Sequence, residues 1–124
     1  SLGLLRVVDG YVAGAPYWLD SSAGAVEIGA LASEEHSISS VGSDVSARHM
    51  RIWRDEEGFW FAEGLGSSNG TVLVNGASGE SVVVEPPHAE REGFVSKPVA
   101  VRPGDELILA KSTKFLVIEG VPEP

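Results

Sequence analysis

The richest chemistry in this chain lies in Gly64-Leu65-Gly66-Ser67-Ser68-Asn69-Gly70-Thr71, with Asn75-Gly76 close behind and Ser46-Ala47-Arg48-His49 upstream. Hydroxyl and amide side chains set among three glycines make a loop whose backbone can approach a ligand closely. Ser and Asn side chains also bond their own backbone, which holds such a loop in one shape. A phosphate group requires several donors converging on one point. Hydroxyls, an amide and backbone N–H groups freed by glycine are donors of that kind. The composition of these two segments therefore predicts an anion-holding loop pair.

Other chemistries fit less well. Gly66-Ser67-Ser68-Asn69-Gly70 satisfies the Gly-x-Ser-x-Gly pattern of a hydrolase nucleophile elbow, but that device needs a helix after the serine. Here Thr71-Val72-Leu73-Val74 follows and reads as a strand. Gly64, Gly66 and Gly70 resemble a dinucleotide loop with its last glycine one place late. His36, His49 and His88 are widely separated, without metal-ligand spacing, and the chain has no cysteine. The reading is of a non-enzymatic protein with no cofactor and no metal. Asn69-Gly70-Thr71 is formally a glycosylation sequon and is read as coincidence. Trp18, Trp53 and Trp60 are assigned to packing, because no basic groove accompanies them to hold nucleic acid.

Short strands must carry these loops. The expected strands are Leu4–Val8, Tyr17–Leu19, Ala25–Gly29, Ser37–Ser40, Arg48–Arg54, Phe59–Glu63, Thr71–Val74, Ser81–Glu85, Pro98–Arg102, Glu106–Ala110 and Lys114–Glu119. Asp9-Gly10, Glu57-Gly58, Asn75-Gly76 and Pro103-Gly104 punctuate them as turns. Within Arg48–Arg54 the pattern alternates, with Met50 and Ile52 on one face and His49 and Arg51 on the other. No stretch keeps a helical period over ten residues. About eleven short strands without helices predict an all-β sandwich. Pro86-Pro87 cannot join a central strand, so 85–97 reads as a surface loop inserted between two strands. The 124 residues make a single domain, 1–124, with its core at about 4–120. The first residue is Ser1, so the domain is expected to be excised from a longer protein.

With these pieces in order, the sequence resembles the forkhead-associated (FHA) domain family. Ile28-Gly29 stands where the family has Gly-Arg. Ser46-x-x-His49-x-x-Ile52 fits its Ser-x-x-His motif. Gly66-Ser67-Ser68-Asn69-Gly70-Thr71 fits its long loop, and Asn75-Gly76 fits its Asn-Gly turn. The resemblance implies an eleven-stranded, mainly antiparallel β-sandwich holding a phosphothreonine peptide in loops at one end. It implies ligand contacts for Ser46, Ser68 and Asn69, with Ser67 and Arg48 as further candidates. Gly29, His49, Gly70, Thr71, Asn75 and Gly76 would support the loops.

This sequence departs from the family pattern at two positions. The family's phosphate-contacting arginine after the glycine is Ala30 here, and the residue after Ser46 is Ala47. The formal charge is −9, which opposes nucleic acid and anionic membrane surfaces. Glu34, Glu35 and Asp44 lead into the loops and would repel a phosphate carrying about −1.5 to −2 charges. The expected function is a protein-interaction module with phosphothreonine recognition weakened or lost. The alternative is a phosphate-independent scaffolding module within a larger signalling or secretion protein. The expected partner is a protein or phosphopeptide, with no nucleic acid and no direct membrane contact. The expected location is the cytoplasm.

Overall fold

A computed structural model describes residues 1–19, 24–33 and 37–121. Eleven strands run through them: β1 (Leu2–Val8), β2 (Tyr11–Val12), β3 (Tyr17–Trp18), β4 (Ala25–Ile28), β5 (Met50–Arg54), β6 (Trp60–Gly64), β7 (Thr71–Val74), β8 (Ser81–Glu85), β9 (Val99–Val101), β10 (Glu106–Leu109) and β11 (Thr113–Glu119). They form two antiparallel sheets. One has the order β2-β1-β11-β10-β7-β8, with β3 also on β1, and the other has the order β4-β5-β6-β9. The fold is the all-β sandwich that the short alternating segments predict.

Period-two patterning explains the core. In β11 the residues Thr113, Phe115 and Val117 are buried while Lys114 and Leu116 are half-exposed. Successive side chains point to opposite faces of a strand. Val26, Ile28, Met50, Ile52 and Ala62 from the smaller sheet meet Leu4, Leu73, Leu107, Leu109, Phe115 and Val117 from the larger one in a single apolar cluster. Trp60 packs against this cluster, whereas Trp53 stacks on Phe61 at 5.0 Å on the opposite face. Trp53 and Trp60 thus each pack against neighbouring side chains.

Three details differ from expectation. Ser37–Ser40 is not a strand: Ile38 alone forms a parallel bridge to Ile28. It is the one apolar, buried residue of that segment, so only it is drawn to the core. Tyr11–Val12 returns onto β1 through Asp9-Gly10, with φ of 51° and 82°. Residues of that type at both central positions favour such a hairpin. The segment after β8 is not wholly irregular, since His88–Glu90 makes one 3₁₀ turn.

The strand directions place the loops. β5 begins just after His49, β7 begins just after Gly70, and the turn between β10 and β11 contains Lys111 and Ser112. The amide of Ala110 donates to the Gly70 carbonyl at 2.9 Å. These segments therefore meet at one end of the sandwich. The turns at 55–58, 75–80 and 102–105 lie at the other.

Candidate functional site

His49 joins the two loops that the sequence singles out. It is fully buried. The Ser46 amide donates to His49 Nδ1 at 3.0 Å, and His49 Nε2 lies 2.8 Å from the Gly70 carbonyl. A backbone N–H can only donate and a carbonyl can only accept. The ring is therefore neutral, with its proton on Nε2. Burial holds its pKa below the ordinary 6.5, against the raising effect of the Gly70 carbonyl.

The Ser68 amide donates to Ser46 Oγ at 2.9 Å, so the serine of one loop receives the backbone of the other. The Asn69 side-chain amide donates to the Asp44 carbonyl at 2.8 Å. Ser68 and Asn69 are exposed and Ser46 is half-buried. Three of the expected contact residues are thus adjacent on one open surface, and among the described residues nothing takes the Ser46 or Ser68 hydroxyl proton or the Asn69 Oδ1.

Ser67 is placed differently from expectation. It is fully buried, and its hydroxyl donates to Glu85 Oε1 at 2.7 Å while accepting from the Gly70 amide at 3.0 Å. The amides of Gly66 and Ser67 also donate to the Glu85 carboxylate, at 3.0 and 2.8 Å. The backbone donors expected to cradle a phosphate are therefore occupied by a carboxylate from the chain itself. Burial raises the Glu85 pKa, but the Ser67 and Gly66 hydrogen bonds and Arg91 outweigh it, and the net position is below 4.5.

Arg91 supports the same loop. It bonds the Ser67 carbonyl and the Pro86 carbonyl, and its Nη2 lies 3.6 Å from Glu85. The His88 amide donates to the Ser68 carbonyl at 2.9 Å. Residues 85–91 are thus a brace beneath the recognition loop. Sequence reading missed Glu85 and Arg91, because nothing local links them to a loop nearly twenty residues upstream.

Glycine is required where backbones touch. A Cβ on Gly29 would lie 2.3 Å from the Ala47 carbonyl oxygen, and one on Gly70, at φ of 80°, would lie 2.6 Å from the Glu85 carbonyl oxygen. The close approach at Gly29 lets the Ala30 amide donate to the Ser46 carbonyl at 2.9 Å and the Leu31 amide to the Ala47 carbonyl at 3.0 Å. Ala30, Leu31 and Ala47 are exposed beside Ser46. Thr71 is buried at the start of β7, with no hydrogen-bond partner for Oγ1 among the described residues.

Arg48 lies in the irregular segment before β5, and its guanidinium engages the Glu27 carboxylate. Arg51 pairs with Glu63. These partners lie on the strands that flank β5. The Asp44 carboxylate is held by the neighbouring turn: Oδ2 accepts from the Lys111 and Ser112 amides at 3.2 Å each, and Oδ1 takes the Ser112 hydroxyl. The Ser112 bond holds its pKa below 3.8. Glu34 and Glu35 lie outside the described residues. Asn75 and Gly76 do not meet the recognition loops. They form the turn at the far end of β7, where Gly76 N donates to Asp105 Oδ1 at 2.9 Å and fixes the 102–105 turn instead.

The FHA domain family model matches residues 26–110, spanning both loops and the strands between them. The chain belongs to the FHA family. That family consists of phosphothreonine-binding protein-interaction modules, not enzymes. No curated protein matches the chain. Among solved structures, the kinase-interacting FHA domain of the Arabidopsis kinase-associated protein phosphatase is 23% identical, with TM-score 0.68, covering 99% of this chain and 96% of that one. The FhaA FHA domain, solved with the intracellular domain of Rv3910, is 22% identical, with TM-score 0.62 and coverage of 94% and 99%. The MEK1 FHA domain, solved with a HOP1 phosphothreonine peptide, is 16% identical, with TM-score 0.56 and coverage of 94% of each chain.

Three titratable groups of this FHA domain give its stability a defined pH dependence. His49 has a folded pKa below 6.5, so its contribution is complete above pH 6.5 and is lost as the pH falls below that value. Glu85 and Asp44 have depressed pKa values, so their contribution is present above 4.5 and 3.8 and is lost at lower pH. Urea melts between pH 8 and pH 3 are expected to show a plateau, a first decline below 6.5 and a second below 4.5. The His49→Gln variant is expected to lose the first decline and keep the second.

Proposed function

We propose that this FHA domain is a protein-interaction module that holds a partner segment against Ser46, Ser68 and Asn69, with phosphothreonine recognition weakened. The observation that carries the reading is the exposed Ala30, hydrogen-bonded through its amide to the Ser46 carbonyl. This is the place where the family's arginine would meet the phosphate, and here it holds only a methyl group. Arg48 is engaged with Glu27, and the Gly66 and Ser67 amides are engaged with Glu85. The anion therefore loses a cation and two backbone donors, while the hydroxyl and amide groups that recognise peptide remain.

The complexes of the MEK1 and FhaA domains with a phosphothreonine peptide and a protein domain support a binding role. Phosphate-independent scaffolding is favoured by the same missing cation, and it predicts equal affinity for the two forms of a peptide. NMR titration with pooled phosphothreonine peptides tests the location. Amide shifts are expected at 44–49 and 66–71, and Ser46→Ala is expected to abolish them. Shifts elsewhere only, or unaltered by Ser46→Ala, overturn the assignment.

A further inference from the structure

At the end of the sandwich opposite the recognition loops lies a cavity of about 490 Å³. That volume is within the range of ligand sites, roughly 300–1,000 Å³. Leu2 gives it an apolar wall, Phe59 and Trp60 add aromatic rings, and Arg54 and Arg102 supply cations. Phe59, which lines the cavity, is 57% exposed.

The engagement of the arginines sets this cavity apart. The chain has six. Arg48, Arg51 and Arg91 hold carboxylates, and Arg6 bonds the Val7 carbonyl and lies over the Phe115 ring at 5.8 Å. The remaining two, Arg54 and Arg102, have no ion-pair or side-chain hydrogen-bond partner among the described residues, and both line this cavity. Gly58, at φ of 91°, leaves room for the Arg54 guanidinium, since a Cβ there would come within 2.9 Å of Nη2. Arginine is suited to holding a carboxylate through two parallel bonds and to stacking on aromatic rings.

We propose that this cavity is a second binding site, one that takes a carboxylate carried on an apolar or aromatic group and holds the carboxylate at Arg54 and Arg102 and the apolar part against Phe59 and Trp60. Such a group occurs in an acidic-aromatic peptide segment and in a small aromatic acid. Glu119 also lines the cavity and sets the sign of a control, since removing its charge is expected to strengthen binding. β5 separates this site from Ser46, so the two sites lie at opposite ends of the sandwich.

NMR titration with a peptide containing Asp-Phe, its Asn-Phe counterpart and N-acetylphenylalanine tests the site. The Asp-Phe peptide is expected to shift the amides of Gly58, Phe59 and Val101, and the Asn-Phe peptide is expected to bind at least about tenfold more weakly, the usual difference for a lost charged partner. Shifts with N-acetylphenylalanine as well identify a small-acid site; shifts with the peptide alone identify a peptide site. The double variant Arg54→Gln/Arg102→Gln changes exposed side chains, so it is expected to fold normally and lose the shifts, while Glu119→Gln enhances them. No saturable shift with either carboxylate probe, or shifts unchanged in the double variant, overturns the proposal.

Discussion

Ala30→Arg is expected to raise affinity for phosphothreonine peptides roughly ten- to a hundredfold, with affinity for the unphosphorylated peptides unchanged. A hydrogen bond to a charged group contributes about 1.5–3 kcal/mol, and about 1.4 kcal/mol is a factor of ten. The geometry favours the gain. The Ala30 side chain is exposed, and its amide is already fixed 2.9 Å from the Ser46 carbonyl. Gly29 stays in place, so the tight approach to Ala47 is not disturbed. The added guanidinium extends from a backbone already pinned beside the Ser46 hydroxyl, which limits the ordering cost of binding. Isothermal titration of both proteins with the same peptides measures the effect. An unchanged affinity would mean that the Ser46 surface is not where phosphate sits.

The second large effect concerns stability. His49→Ala is expected to cost about 3–5 kcal/mol, combining a buried void with a stranded Ser46 amide and Gly70 carbonyl. Domains of this size have only about 5–15 kcal/mol in total, so the melting temperature should fall by roughly 10–20 °C. The reason is specific to the ring. A neutral imidazole accepts at Nδ1 and donates at Nε2, and both groups it satisfies lie inside the protein. Alanine can do neither. The two loops would also lose the link through the ring, leaving the Ser68 amide to Ser46 Oγ, Asn69 to Asp44 carbonyl and Leu65 amide to residue 49 carbonyl bonds between them. Thermal unfolding followed by tryptophan fluorescence checks this. A fall of less than about 3 °C would show that His49 is not the brace described.

Much of the fold was legible because its signals are local. Alternation in Met50-Arg51-Ile52 and Phe115-Leu116-Val117 marks strands, and Asp-Gly, Asn-Gly and Pro-Gly pairs mark turns. The Asp9-Gly10 pair also predicts a returning strand, yet only Tyr11, Val12 and Ala13 precede the next glycine, too few to stand out. Ser46, His49, Ser68 and Asn69 were legible as a pattern of types and spacings, and they do meet.

What was not legible depends on topology. Ser67 and Ser68 are neighbours of the same type, and only the position of Glu85 decides that the first turns inward. Glu85 itself closes a run of three valines, and it is buried next to the buried Val84, so alternation fails at that point. The proline pair after it reads as the start of a loop, which hides the return of Arg91 to the Ser67 carbonyl. The two arginines of the far cavity are thirty or more residues from each other or from Leu2, and only the packing of the sheets brings them together.

In the proposed function the Ser46, Ser68 and Asn69 surface is kept while the phosphate-binding arginine is missing. Fluorescence polarisation with matched phosphorylated and unphosphorylated threonine peptide pools, on the unaltered protein, tests it most directly. The expected result is weak binding of both forms, with dissociation constants in the range of roughly 0.1 mM or above and a phosphate preference of less than about tenfold, equivalent to less than about 1.4 kcal/mol. Micromolar binding that disappears without the phosphate would contradict the account, because an anion would then be held firmly without the arginine at position 30.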